Sequence, residues 1–345
     1  MMKQFIKIFL VIILILTNSC IKDENIPIID FELNKTAKIL NYFESEGDFA
    51  NSDQAPGLIS AEQLFNYQSE YTILDIRPAN EFVNGHIQNS VNVGIDRLYE
   101  IVDSLYSMYQ TKKISIVSKN GQSSAYFVCL LRLAGFNNTY SLKYGMAYWH
   151  INFADDWLQN LKDEEDFNNT NENYPKLPLS PLPLPDFPSA LTSDRDLAVY
   201  RIKQVISQGF VDGVNYETNF NVLTNPANTK ICYGQERLYI MPPLQDGKGH
   251  SLGTIWYRDI PSYDFRSIKN LQTVPVNSPI IIYSADGQLS ACMTAYLTVL
   301  GYKVKTLLFG ANQLFYTRMR SDPQLSGDAF KIEEINNFPY VTGDY

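Results

Sequence analysis

Cysteine, histidine and positive charge are all scarce in this sequence. Four cysteines are present, Cys20, Cys129, Cys232 and Cys292. The first ends a leader-like segment, so three remain for the rest of the chain. An odd, sparse set indicates no disulfide framework. The three histidines, His86, His150 and His250, lack metal-ligand spacing, so no metal site and no cofactor is expected. Lys and Arg number 28 against 37 Asp and Glu, a net charge of −9, which argues against nucleic acid as a general partner. The apolar run Ile8 to Leu16 is too short to cross a membrane as a helix.

What is present begins with that run. Lys3 and Lys7 precede its core, and Thr17-Asn18-Ser19-Cys20 comes after it. A positive start, a short apolar core and a small residue before the cut describe a secretory signal over residues 1–19. A Cys directly after the small residue resembles a bacterial lipobox, with Cys20 as the lipidated first residue of the mature chain. Lys22-Asp23-Glu24 resembles the surface-export signal of Bacteroidetes lipoproteins, and reads equally as a solvated charge cluster. The expected location is the cell envelope, as an outer-membrane lipoprotein facing the periplasm or the exterior. The membrane is then a partner through Cys20.

Apolar residues make up 45% of the chain, enough for ordinary cores, and the length suggests about two domains. Residues 20–57 read as a tether ending in a helix (Ile39, Leu40, Phe43). Ser60 and Gln63 form a capping box. Short apolar strands, Thr72-Ile73-Leu74 and Val91-Asn92-Val93, alternate with helical segments. One of these is amphipathic, with Leu98, Ile101, Val102, Leu105 and Met108 on one face. Such alternation predicts an α/β fold with a parallel sheet covered by helices on both faces. Residues 153–189 are acidic, then rich in proline, and read as an extended connector.

The chemistry-bearing stretch is Ser118-Lys119-Asn120-Gly121-Gln122-Ser123, between the apolar run Ile114–Val117 and the helical pattern Tyr126–Leu133. Strand, tight loop and helix in that order make an anion cradle, because Gly121 lets the backbone turn and N–H groups converge at the helix N-terminus. The same pattern recurs 166 residues later. Ser284 then stands at Ser118, Gly287 at Gly121, Gln288 at Gln122, and Gly301 at Gly135. With an offset of 164, Gly249-His250 stands at Gly85-His86, and Tyr239, Met241 and Gln245 replace Asp75, Arg77 and Glu81. Two anchors at nearly one offset indicate a tandem duplication. The second loop carries Asp286 and no basic residue, so residual anion binding is expected in the first half, with Lys119.

Asp75-Ile76-Arg77-Pro78, Glu81-Phe82 and Gly85-His86-Ile87 resemble the signature of the rhodanese homology domain, as do the six-residue loop, Gly135-Phe136 and Gly145 to Trp149. The resemblance implies two rhodanese-like domains, at 58–152 and, in degenerate form, at 190–345. It also implies that the first loop residue should be a persulfide-carrying cysteine. Here that residue is Ser118 in one copy and Ser284 in the other. A serine hydroxyl holds no sulfane sulfur, and no His–Asp relay is evident to activate it. The resemblance further implies that Asp75, Arg77 and Glu81 tie the strand end to the following turn, while His86 is expected to hydrogen-bond locally. Cys129 and Cys292 fall inside apolar helices and read as buried. Tyr233, Tyr239, Trp256, Tyr257, Tyr263 and Phe265 read either as packing or as a binding surface. The expectation is therefore a tandem rhodanese-like lipoprotein without catalysis, binding a protein partner or a small oxyanion. The alternative is a sulfurtransferase of thiosulfate or mercaptopyruvate type using another thiol.

Overall fold

The first sheet is built from β1 (Leu58–Ile59), β2 (Tyr71–Asp75), β3 (Val91–Asn92), β4 (Lys113–Val117) and β5 (Thr139–Leu142). Its order is β1-β5-β4-β2-β3 and every pair is parallel. These are coordinates of a computed structural model, which describes residues 34–109, 111–164, 169–174, 176, 183–240, 249–258, 260–261 and 263–343. The expected secretory signal, Cys20, the expected tether up to residue 33, residues 175 and 177–182 of the Pro-rich stretch, Met241 and Gln245 lie outside the described residues. A short strand, β6 (Asn169–Thr170), comes after the first sheet. The second sheet uses β7 (Tyr216–Glu217), β8 (Thr229–Tyr233), β10 (Thr254–Tyr257), β11 (Ile280–Tyr283) and β12 (Val304–Leu307), in the order β10-β8-β11-β12-β7, again all parallel. Read from β7, it repeats the order of the first sheet. The short β9 (His250–Ser251) pairs antiparallel with β6. The central strands β4 and β11 are apolar through most of their length because both sheet faces are covered.

The helices that cover these sheets and position the loops are α1 (Lys35–Ser45), α2 (Ala61–Asn66), α3 (Ala79–Asn84), α4 (Ile95–Met108), α5 (Gln122–Leu133), α6 (Asp194–Gln208) and α7 (Gln288–Val299). Ser60 caps α2 by accepting from Gln63 N at 3.0 Å, but the Gln63 amide turns to Tyr71 Oη at 3.4 Å instead of closing a box. On α4, Leu98 and Val102 are buried while Met108 is exposed, so the apolar stripe ends before the helix does. α5 and α7 pack on each other in one core shared by both halves, which is why each is buried nearly all round.

A two-fold-like exchange joins the copies. Gln122 Oε1 accepts from Phe309 N at 2.7 Å, and Gln288 Oε1 accepts from Tyr144 N at 2.9 Å. Tyr144 and Phe309 both have a φ of 59°, at matching places before Gly145 and Gly310. The arms cross as well. Residues near the C-terminus return to the first half, where Val341 and His86 exchange backbone hydrogen bonds at 2.9 Å. The segment after the first sheet reaches the second half, where Thr170 pairs with His250. Gly85 and Gly249 leave room for these arms. A Cβ at Gly85 would lie 2.6 Å from Phe153 and 2.9 Å from Tyr340, and one at Gly249 would lie 2.2 Å from Thr170 O.

The strand register corrects one alignment. Asp75 lies opposite Val117, and Cys232 lies opposite Tyr283; Val117 and Tyr283 each precede a loop serine. Cys232, rather than Tyr239, is thus the counterpart of Asp75. Tyr239 matches Phe82 instead. His86 stacks on Phe82 at 3.7 Å and bonds its carbonyl through Nδ1 at 2.9 Å, while His250 stacks on Tyr239 at 3.6 Å and bonds its carbonyl at 2.7 Å. Eleven positions separate Asp75 from His86 but eighteen separate Cys232 from His250, so an insertion shifts the alignment within the motif.

The helix expected at the end of the tether docks on the second half. α1 packs on α6, Thr36 Oγ1 donates to Leu300 O at 2.6 Å, and Phe43 meets Tyr296 at 5.7 Å. Beyond α1, Asp48 is half-buried in the left-handed region, with a φ of 45°. Burial pushes its carboxyl up from 3.8 to about 6, against the opposing pull of the Asn51 amide and Arg266. A raised folded-state value means the Asp48 contribution is fully present below about pH 3.8 and is lost as pH rises through about 6. Asp48→Asn keeps a left-handed-tolerant side chain and removes the buried charge. It is expected to raise stability by ~1–3 kcal/mol at pH 8, and the gain should vanish near pH 4. Urea unfolding of both chains at pH 4, 6 and 8 checks this; a gain that grows toward acid would contradict it.

Candidate functional site

The loop after β4 is wound around the Ser118 side chain. Ser118 Oγ accepts from Gly121 N at 3.1 Å and from Ser124 N at 3.3 Å, and lies 2.9 Å from Ser124 Oγ. Ser124 Oγ lies 3.0 Å from Gly121 O and 2.8 Å from Ser141 Oγ, which ties the loop to β5. Gly121 has a φ of 87°, and a Cβ there would fall 2.7 Å from Tyr144 N. Gly145 is equally constrained, since its Cβ would lie 2.2 Å from Ser118 O. The second loop repeats the pattern: Ser284 Oγ accepts from Gly287 N at 3.2 Å and from Ser290 N at 3.1 Å.

This geometry assigns the loop residues different tasks. Gly121 N and Ser124 N already serve Ser118, and Gln122 N serves Asn120 Oδ1 at 3.1 Å. The Gln122 side chain points away from the cradle into the junction with the second half. Lys119 is half-exposed and paired with Asp156 at 3.3 Å, and Asn120 Nδ2 donates to the same carboxylate at 3.2 Å. The short helix Asp155–Leu158 holds Asp156 there by burying Trp157, whose indole N–H donates to Asn120 O at 3.0 Å. In the sequence Asp155 and its neighbours read as connector, and this packed helix has no signal there beyond Trp157 itself.

Asp75 and Arg77 form a buried tie. Arg77 contacts Asp75 at 2.7 and 3.0 Å and donates to Gly85 O at 2.8 Å, bracing the strand end against the Gly-His turn. Glu81 does not join them. It is half-buried in the first turn of α3, and among the described residues no hydrogen bond or ion pair engages its carboxylate. It lines the cleft instead.

That cleft has a volume of about 580 Å³ and lies between the halves. Ser118, Lys119, Asn120 and Ser123 form its floor. Ile76, Arg77, Glu81, Val93 and Ile95 supply one wall, and Phe210, Tyr216 and Leu308 of the second half supply the other. The structure thus gathers Ser118, Lys119, Asn120, Ser123, Arg77 and Glu81, while Asp75 sits behind them and His86 is turned into its own stack. Phe210 and Tyr216, 4.8 Å apart, have no signal in the sequence, because nothing local marks a residue that a second domain carries to the site. The second loop faces a smaller pocket of about 240 Å³, closed by Ala55, Pro56 and Leu58 and bordered by Asp286 and Asp328.

Of the aromatic residues that crowd the second half, Tyr233, Tyr239, Tyr257 and Phe265 are fully buried packing groups. Cys129, Cys232 and Cys292 are also fully buried. Burial pushes the Cys232 thiol up to about 12 and the Cys129 thiol well above its ordinary value.

Residues 60–152 match the family model "Rhodanese-like domain". An uncharacterized protein from Buchnera aphidicola is 29% identical over 116 residues, covering 33% of this chain and 79% of that protein. Among solved structures, a rhodanese-related protein from Thermoplasma volcanium is 28% identical over 30% of this chain and 91% of its own, with a TM-score of 0.24. SseA from Escherichia coli, from a study of 3-mercaptopyruvate sulfotransferases, is 15% identical over 72% of this chain and 97% of its own, with a TM-score of 0.25. The first half of this chain contains a rhodanese-like domain, and the second sheet repeats its strand order.

Proposed function

We propose that this chain is a non-catalytic binding module of the cell envelope, anchored through Cys20, that takes its ligand in the cleft between the two halves. One observation carries the reading. Where the family chemistry needs a thiol, Ser118 presents a hydroxyl held by two backbone N–H groups and Ser124, and among the described residues no thiol lines the cleft. A neutral hydroxyl without a base is a poor nucleophile. The three cysteines offer no substitute, since all are fully buried away from the cleft, and burial raises the Cys129 and Cys232 thiols besides.

The sequence leaves two ligand classes open, a small oxyanion in the loop or a protein partner. The geometry favours the whole cleft over the loop, because three loop N–H groups and the Lys119 ammonium already have partners. A thiosulfate:cyanide assay on the full chain, beside a variant with Cys129, Cys232 and Cys292 all replaced by Ala, tests the absence of catalysis. Both should stay at the uncatalysed rate. Turnover in the natural chain about tenfold or more above the triple variant would reject the reading. Membrane fractionation of the natural chain and of Cys20→Ser tests the anchor; only the former should sediment with membranes.

A further inference from the structure

Resting on the cleft as the ligand site, we propose that it takes an ammonium group carried on an apolar stem, with Glu81 as counter-ion and Phe210 and Tyr216 as an aromatic wall. The charge inventory of the lining sets the sign. Arg77 is matched by Asp75 and Lys119 by Asp156, which leaves Glu81 over. A half-buried carboxylate without a partner gains most from a cation that shares its desolvated surroundings. The α5 N-terminus does not reverse that sign, because Ser118 Oγ and Asn120 Oδ1 already cap three of its N–H groups.

The remaining walls suit the stem. Ile76, Val93, Ile95 and Leu308 are apolar. Phe210 and Tyr216 lie 4.8 Å apart at a 36° tilt, and aromatic faces attract ammonium groups as well as packing alkyl chains. A free alkylamine and a lysine side chain of a peptide share this chemistry.

Titration calorimetry on the full chain separates the possibilities with three probes: n-hexylammonium chloride, sodium hexanoate, and the peptide acetyl-Ala-Lys-Ala-amide. Hexylammonium or the peptide should bind, hexanoate should not, and binding should weaken with added salt. The tighter of the two cations identifies the source. Glu81→Gln should weaken cation binding about tenfold or more. Hexanoate binding as tightly as hexylammonium overturns the inference while leaving the cleft a binding site. Binding of none of the probes overturns the inference as well, without bearing on a protein partner at the cleft. The contrast between hexylammonium and hexanoate is read on the natural chain, so it stands even if Glu81→Gln folds poorly.

Discussion

Ser118→Cys is expected to create a reactive thiol with an apparent pKa below the ordinary cysteine value of about 8.5. The hydroxyl it replaces accepts from Gly121 N and Ser124 N, and a sulfur at that point meets the same donors. It also sits at the start of a twelve-residue helix, whose N-terminal partial charge favours a thiolate. Ser284→Cys meets matching donors but different charges. Asp286 and Asp328 border its pocket, and burial raises both carboxyls, Asp328 to about 6 with a further push from Asp286. At pH 7 Asp328 still carries most of its charge, so a thiolate beside it is disfavoured. Both serines are buried, but the room beside them differs in the same direction, since the second pocket holds about 240 Å³ against about 580 Å³ for the cleft. Iodoacetamide alkylation rates measured from pH 5 to 10 read out both variants. At pH 7 Ser118→Cys should react about tenfold or more faster than Ser284→Cys. Equal rates, or the reverse order, would mean that the first cradle no longer favours an anion.

The loop and its repeat are legible in the sequence because both are local. Ser118 with Gly121 and Ser284 with Gly287 each need a strand end, a positive φ and a helix start within a few residues, and sequence spacing records all three. Gln122 and Gln288 are visible as a matched pair, but their task is not. Spacing cannot distinguish a side chain that faces a ligand from one that crosses to Phe309 N or Tyr144 N. The Asp75–Arg77 tie comes from two residues at a strand end, whereas Glu81 departs from the family expectation because the guanidinium turns its Nε and Nη2 to Asp75 and Gly85 O and the Glu81 side chain lines the cleft instead. The Tyr239 alignment fails for a different reason. A single offset cannot track a motif with an insertion inside it, and only strand register fixes Cys232 as the counterpart of Asp75. Contacts between halves, such as Tyr216 against the cleft, are the least legible of all. They depend on how two sheets far apart in the chain come together.

Removing residues 336–345 is expected to destabilise the first half strongly, because this arm completes a core that lies almost two hundred residues upstream. Phe338 stacks on Phe65 at 4.1 Å and meets Trp149 edge-on at 5.2 Å. Pro339 O accepts the Trp149 indole N–H at 2.9 Å, and Phe338 N donates to Trp149 O at 2.9 Å. Tyr340 packs on Phe153 at 4.9 Å, and Val341 pairs with His86 in both directions. Trp149 is 1% exposed only because the arm is there to cover it. Uncovering a tryptophan and the aromatic rings around it forfeits roughly 1.5–3 kcal/mol per large side chain, before the lost hydrogen bonds are added. A loss of about 3–5 kcal/mol is therefore expected, a large fraction of the stability of an ordinary domain. Tyr340→Ala removes one ring while leaving the backbone pairing, and should cost about 1–2 kcal/mol. Guanidinium unfolding monitored by tryptophan emission tests both. The truncated chain should emit at longer wavelength before any denaturant is added and should unfold at a lower midpoint, with Tyr340→Ala between it and the natural chain. An unchanged midpoint and emission would mean that the first half closes its own core and that the crossed arm adds nothing to it. If the arm does matter, the cleft should suffer with it. The same first half supplies Ile76, Arg77 and Glu81, and their placement depends on the Gly85-His86 turn that Tyr340 and Val341 clamp. Hexylammonium binding should then fall in the truncated chain under conditions where its second half remains folded.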